Sequence, residues 1–473
     1  MLLSKEEFLK IAKEKPEELY KIFIALTAKV EYLTEELKKL ESRLNQNSSN
    51  SSKPPSSDQF KKKRSNKTSR RKQGGQPEHP GTNLKKVSNP DNTKEYRAPD
   101  SCEKCGSSLE SVSVEIQTKQ EFDIPKSNLL VTEHKIEIKR CSCGHCNKNT
   151  HAPDMRNHTY YGDNIKSLII YLKNEQMLPY KRTRDLIYCI YGHTISEGTF
   201  WNMERDFAEI LSPIDEKIKQ EIIKSAEAGF DESSVRSEKE NFWVHVAVTK
   251  SYTHFSFHAK RGLEGMKSAG ILPNFTGVAM HDFFKAYLHF LCEHAFCNAH
   301  ILRELISVYE NTKQVWAEMM LEVLMTALDF SKEGTKKDKE KSINEISKMY
   351  DLAISKGLEE NPDKNIDTNK RVKHTKEFNL LHRMKEYKEN IMLFLKNELV
   401  PFDNNLAERA LRMLKVKMKI SGCFRNQDAG TFFCKIRSFI DTCKKHKLNI
   451  LEAIRNVWKF GYFVFAPLVK TAE

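Results

Sequence analysis

Asp231, Asp282 and Glu408 are the residues whose types and settings point most directly to chemistry. The runs AEAGFDE, FWVHVAVT, THFSFHA and GVAMHD have a period of two and are bounded by polar or Gly-bearing turns, which predicts three strands in a meander followed by a fourth. Asp231 closes the first strand and Asp282 the fourth. Carboxylates at the ends of neighbouring strands can converge on one divalent cation, and oxygen ligands suit Mg²⁺ or Mn²⁺. Taken singly, each Asp is the ordinary cap of a following helix. Glu408 lies in VPFDNNLAERALRMLKVKMKISGCFRN, where Asn404, Glu408, Arg412, Lys415 and Lys419 recur at helical spacing and share one face. A carboxylate among cations suits a site that holds both a metal and a DNA phosphate, although a solvated charged face has the same pattern. Asp403 sits about 140° around the helix from Glu408 and is expected to start the helix rather than to act as a ligand.

The second set is sulfur. Cys102-x-x-Cys105-Gly and Cys141-Ser-Cys143-Gly-His-Cys146 flank about 35 residues that include the alternating runs VEIQTKQEFDI and LLVTEHKIEIK. Two knuckles joined by a hairpin are how a zinc ribbon gathers four thiolates around Zn²⁺. The expected ligands are Cys102, Cys105, Cys143 and Cys146, with Cys141 as the substitute and His145 less suited. So small a module draws its folding energy from the metal. Cys297 and His300 in CNAH also have ligand spacing, but no second pair lies nearby, and a packed helix start is the expectation there. His281 and Glu232 alternate to the strand face opposite their Asp neighbours and are left out of the metal shell.

These groups need elements to position them. Leu19, Phe23, Leu26, Val30, Leu33, Leu37, Leu40 and Leu44 are spaced 4 and 3 in alternation, the seam of a self-associating coiled coil. From Asn45 the chain turns polar, with Pro and Gly, and reads as a linker. Within it, residues 53–72 hold nine Lys or Arg and one Asp, including Lys61, Lys62, Lys63, Arg64, Arg70 and Arg71, and such an arm can neutralise DNA phosphates. Further on, DNIKSLIIYLKNEQ is helical, Pro179 interrupts, TRDLIYCIYG ends at Gly192, and Ser196 caps EGTFWNMERDFAEIL. That is a helix-turn-helix pattern with Glu197 to Phe207 as the recognition helix, beside Lys181, Arg182 and Arg184.

Composition agrees. A chain of 473 residues predicts several domains, and its net charge of +14 with a pI near 9.0 points to a polyanionic partner. The charge is local: residues 53–72 alone carry net +8. No apolar run is long enough to span a membrane, and MLLSKEEFLK has no secretory core, so a cytoplasmic protein is expected. Eleven Cys in such a chain are expected as metal ligands before disulfides.

The stretches NSSNSSKPPSSD, YGDNIKSLIIYLKNEQMLPYKRTRDLI, ISEGTFWN, GFDESSVR, HAKRGLEGMKSAGILPNFTGVAMHDFFKAY, HAFCNAHILREL and PFDNNLAERALRMLKVKMKISGCFRN, with the Cys knuckles, resemble a transposase of the insertion-sequence 66 family over nearly the full length. The resemblance implies a multidomain α+β chain: a coiled-coil helix (1–45), a basic linker (46–100), a zinc-binding domain (101–152), a helical DNA-binding region (153–220), and a ribonuclease-H-like core (221–305 and 401–473) interrupted by a helical insertion (306–400). It implies an Asp-Asp-Glu triad on Asp231, Asp282 and Glu408 holding two Mg²⁺ or Mn²⁺ ions, with Asp231 shared between them, and a structural Zn²⁺. Double-stranded DNA, both element ends and target, is the implied partner. A homodimer or higher oligomer, small accessory proteins and a place at the bacterial nucleoid are implied as well. The alternatives are a zinc-containing DNA-binding regulator, a decayed transposase without catalysis, or a stand-alone ribonuclease-H-like nuclease.

Overall fold

The computed structural model describes residues 5–47, 49–51, 84–148, 159–332, 339–363 and 374–466. The basic residues Lys61 to Arg71 lie outside the described residues. The chain divides into two compact units, one of residues 1–59, 134–188 and 194–473, the other of residues 60–133 and 189–193. The first Cys pair falls in the second unit and the Cys141 cluster in the first.

In the first unit, α1 (Lys5–Glu14) is followed after Lys15 by α2 (Pro16–Leu44), with Pro16 at the position where a missing N–H costs nothing. The expected seam is helical throughout. Its apolar side chains face solvent: Phe23 is 65% exposed and Leu37 60%. A short hairpin, β1 (Ile138–Arg140) with β2 (Cys146–Lys148), carries the Cys141 turn.

Two expectations fail in the 114–139 region. VEIQTKQEFDI forms no strand, and of LLVTEHKIEIK only its last residues enter β1. The reason is the missing layer: Val114, Ile116, Leu130 and Val131 are all more than 80% exposed, and a ribbon with neither face covered is marginal in water.

The helices α3 (Asp163–Asn174), α4 (Tyr180–Tyr191), α5 (Glu197–Ile210) and α6 (Ser212–Ile223) lead into the sheet. As expected, Gly192 ends α4 with φ of +64°, and the Ser196 hydroxyl caps α5 by accepting from Thr199 N–H at 3.1 Å. Then come β3 (Glu227–Ser237), β4 (Glu240–Val248), β5 (Thr253–His258), α7 (Leu263–Ser268), β6 (Val278–His281) and β7 (Glu293–Phe296). The spatial order is β5-β4-β3-β6-β7, antiparallel over the first three strands and parallel from β3 to β6 and β7. The expected meander and fourth strand are present; the fourth pairs with β3 in parallel, and β7 is in addition.

After β7, α8 (Asn298–Thr312), α9 (Val315–Lys332), α10 (Lys339–Glu360), α11 (Lys376–Glu386) and α12 (Lys388–Lys396) form a helical cluster around buried Trp316 and Tyr350. The chain returns to the sheet with α13 (Asn405–Ser421), α14 (Gln427–Lys445) and α15 (Ile450–Phe460). One face of the sheet buries Val244, Val246 and Val248 against Ala407, Leu411 and Leu414 of α13. The other buries Phe230 and Ala247 among side chains of α6, α14 and α15. A sheet covered on both sides accounts for the near-continuous apolar run of β4.

Candidate active site

Asp231 lies in the middle of β3, opposite Val246, and not at its end as its sequence setting implied. The strand runs on to Ser237 because Glu238 and Lys239, both with positive φ, make the tight two-residue hairpin turn usually given to Gly or Asn. Alternation puts Asp231 on the side of Val235, which packs with α13, and Glu232 on the side of Phe230. Asp282 immediately follows β6, the parallel neighbour of β3, and its Oδ1 accepts from Phe284 N–H at 2.9 Å.

The third carboxylate comes from α13, and Asn404 brings it in. Asn404 is not on the exposed face with Glu408, as helical spacing suggested; it precedes the helix and is buried. Its Nδ2 donates to the Phe230 carbonyl at 2.7 Å, and its backbone N–H donates to Cys297 Sγ at 3.2 Å. A Cβ on Gly229 would stand 2.4 Å from Asn404 Oδ1, so only glycine admits this approach. Glu408 then sits one turn into α13, its N–H on the Asn404 carbonyl at 3.2 Å. Asp403 Oδ1 accepts from Asn405 N–H, which agrees with its place at the helix start.

Burial, followed by the charge of Glu232 and then by those of Asp282 and Glu408, pushes the Asp231 carboxyl up to about 7, against the Glu232 N–H that its Oδ1 accepts. The charges of Asp282 and Glu408 thus bear on Asp231. Partly buried carboxylates brought toward one another gain from a cation, and their all-oxygen donors fit a hard divalent ion. Beyond Glu408, Arg412, Lys415 and Lys419 are exposed on α13, available to an anion.

Glu232 is buried and engaged elsewhere, accepting from Tyr287 Oη at 2.5 Å and from Arg261 Nε at 2.8 Å. His281 is buried against His294, with 2.9 Å between their ring nitrogens, and burial pushes its pKa down to about 3. Glu232 thus lies on the strand face opposite Asp231, as alternation implied. Two neighbours of Glu408 were not anticipated: His300 Nδ1 at 3.8 Å and Arg303 Nη2 at 3.5 Å. The signal was present in CNAHILREL, where Cys297, His300 and Arg303 recur every third residue along the start of α8.

Residues 158–431, more than half of the chain and including all three acids, match the family described as Transposase IS66 family. The chain belongs to this family. A second match, over residues 5–85, is to a family of unknown function. No curated protein matches. For an IS66 family transposase, DNA is the partner to be sought on the surface.

The helix expected to read DNA, α5, is tied into the core. Phe207 packs against Phe439 and Trp458, Glu197 pairs with Arg425 at 2.9 Å, and Glu204 receives Tyr180 Oη at 2.7 Å. It leaves Gly198, Asn202, Arg205 and Glu209 exposed. On α4, Lys181 and Arg182 are exposed, and Arg184 lies 3.5 Å from Asp185.

In the second unit, the thiols of Cys102 and Cys105 interact. Ser107, through its side chain and then its N–H, followed by Cys102, lowers the Cys105 thiol to about 7, and Gly106 with φ of +76° closes the turn. In the first unit, Cys143, through its N–H and then its thiol, lowers Cys141; Cys146 is on β2. None of the eleven Cys is in a disulfide, and no helix among the described residues is long and apolar enough to cross a membrane.

Proposed function

We propose that this IS66 family chain binds the terminal inverted repeats of an insertion sequence and catalyses strand cleavage followed by strand transfer, from a ribonuclease-H-like core. The observation that carries this is the placement of Asp231 on β3, Asp282 directly after the neighbouring β6, and Glu408 in the first turn of α13, a helix packed on that sheet whose exposed face is cationic. In the first step water attacks a phosphodiester at the element end and frees a 3′-hydroxyl. In the second that hydroxyl attacks target DNA, and one phosphodiester is exchanged for another without a covalent protein intermediate.

Asp231, Asp282 and Glu408 would hold the Mg²⁺ or Mn²⁺ pair, which when bound supplies an activated oxygen nucleophile and charge neutralisation at the leaving oxygen. Arg412, Lys415 and Lys419 neutralise phosphates next to the scissile one, and Lys181, Arg182 and Arg184 of the α4–turn–α5 element hold the duplex. Lys61, Lys62, Lys63, Arg64, Arg70 and Arg71 add affinity without sequence choice. Cys102 and Cys105, with Cys143 and Cys146, are the zinc thiols; Cys141, against Cys143, is the substitute. The exposed seam of α2 supports self-association, since an apolar stripe of this length is stable in water only when covered.

The test is strand cleavage of end-bearing DNA in Mg²⁺, with a target plasmid present. Asp231→Asn, Asp282→Asn and Glu408→Gln should each cut at least roughly 10³-fold more slowly, about 4 kcal/mol in barrier, while DNA binding persists. Substantial cleavage by Glu408→Gln removes the third acid from the triad. Cleavage without joined products makes the chain a nuclease, and binding without cleavage makes it a regulator.

A further inference from the structure

Next to the carboxylate cluster stands a donor set of a different chemical kind. Cys297 Sγ, a ring nitrogen of His300 and a Glu408 carboxylate oxygen all lie within 4.8 Å of one another. Cys297 is the residue before α8, and His300 follows one turn later, its N–H on the Cys297 carbonyl at 3.1 Å. Asn404 carries Glu408 to the same point, because its N–H rests on Cys297 Sγ. One contact therefore sets both the thiol and the helix that bears the carboxylate.

The imidazole is the group without an explanation. His300 Nδ1 is shielded from solvent and has no hydrogen-bond partner, and at 3.8 Å from Glu408 Oε1 it is beyond hydrogen-bond reach. A buried polar atom left unpaired between a thiol and a carboxylate is what an ion would satisfy. Ligands around a tetrahedral zinc stand roughly 3.4 Å apart, given bonds of about 2.0–2.3 Å, so small side-chain movements close the set. The N–H already donated to Cys297 Sγ is the kind of outer bond that supports a metal-bound thiolate. Arg303, a quarter exposed, lies 3.5 Å from Glu408 and would give up that contact to an ion.

We propose that Cys297, His300 and Glu408 form a site for one zinc-class ion, and that its occupancy withdraws Glu408 from the Asp231 and Asp282 carboxylates and so restrains strand cleavage. Sulfur and imidazole select Zn²⁺ or Co²⁺ over Mg²⁺, so this site and the all-oxygen cluster sort ions by softness while sharing one ligand. Three protein ligands leave a fourth position open for water or a DNA oxygen. The ion site stands on its own geometry, whereas the restraint rests on Glu408 serving the triad proposed above.

The experiment counts zinc in the full-length protein after dialysis against Zn²⁺. Cys297→Ser, His300→Ala and Glu408→Gln should each hold one ion fewer per chain than the unaltered protein. Asp231→Asn should lose none, and the knuckle thiols contribute equally to all. Zn²⁺ titrated into the Mg²⁺ cleavage reaction should half-inhibit His300→Ala only at concentrations at least tenfold higher than the unaltered protein, each rate taken relative to its own zinc-free value. His300 is only partly buried, so its variant keeps the test valid if Cys297→Ser fails to fold. An equal zinc count in all of these proteins overturns the site. If Glu408→Gln loses cleavage but keeps the ion, the site fails and the triad stands; if it loses the ion but keeps cleavage, the triad fails and the site stands.

Discussion

Val244 and Val246 of β4 are buried against α13, whereas Val30, Leu33 and Leu37 of α2, no less apolar, are at least half exposed. The polar groups divide in the same way. Glu232 is tied to Tyr287 and Arg261, and buried Arg437 of α14 donates to Glu175 at 2.7 Å and to the Asn174 carbonyl at 3.1 Å. The thiols of Cys105, Cys141, Cys143 and Cys146 are instead open to solvent. The sheet core carries its own packing partners, whereas the α2 seam and the cysteine turns leave apolar and thiol groups exposed, which on the proposed reading a second helix and a metal would cover. Damage to the core should therefore show in the isolated chain, and damage to the N-terminal segments only when the partner is present.

The most severe test on the core side is Gly229→Ala. The added methyl meets Asn404 Oδ1 and, at 3.2 Å, a methyl of Val248, so α13 and Glu408 are pushed away from β3. Overpacking of this kind costs about 1–3 kcal/mol, and cleavage should fall with it by at least roughly 10²-fold. Unchanged cleavage would mean that the core tolerates a displaced Glu408, and the contrast with the N-terminal segments would lose its sharpest point. On the other side, deleting residues 53–72 should leave the thermal midpoint of the core untouched. It should weaken DNA binding roughly 10²-fold at low salt and flatten the slope of log affinity against log salt by several units, since each neutralised phosphate contributes about 0.9. An unaltered slope would reduce the arm to a spacer.

A smaller effect is expected from Leu33→Lys, in the middle of the α2 seam. A lysine at a seam position opposes pairing, so self-association measured by sedimentation should weaken at least roughly tenfold, while the core's stability changes by less than about 0.5 kcal/mol. Loss of core stability would show that the seam packs on its own chain.

What could be read from the residues was local. The period-two runs of the sheet, the Ser196 cap, the Gly192 stop and the helix that carries the heptad spacing each depend on neighbours a few positions away, and each appears in the structure. The approach of Asn404 to Gly229 spans 175 positions and has no periodic signature; neither has the gathering of Cys297 and His300 with Glu408. Asp231 looked terminal because GFDE ends an apolar run, but β3 continues through polar residues held by cross-strand bonds to β4. Val114 to Glu137 looked like strands by the same alternation and are not, because alternation describes a strand with one covered face and no face there is covered.

The finest test looks for a flaw in the core's self-sufficiency. Glu227, at the start of β3, has no hydrogen bond to its carboxylate among the described residues. Burial raises it to about 7, against the lowering charges of Lys250 and Lys445. A carboxyl whose folded pKa exceeds its unfolded value holds its proton more tightly in the native state. Its contribution is fully present below the ordinary value near 4.5 and is lost as pH rises toward 7. Glu227→Gln, which never ionises, should therefore match the unaltered protein at pH 4 and become the more stable by roughly 3 kcal/mol by pH 8, with the gap opening between about 4.5 and 7. A gap independent of pH would mean that the carboxylate finds a partner on ionising, and that the core accommodates this group as fully as it does Glu232.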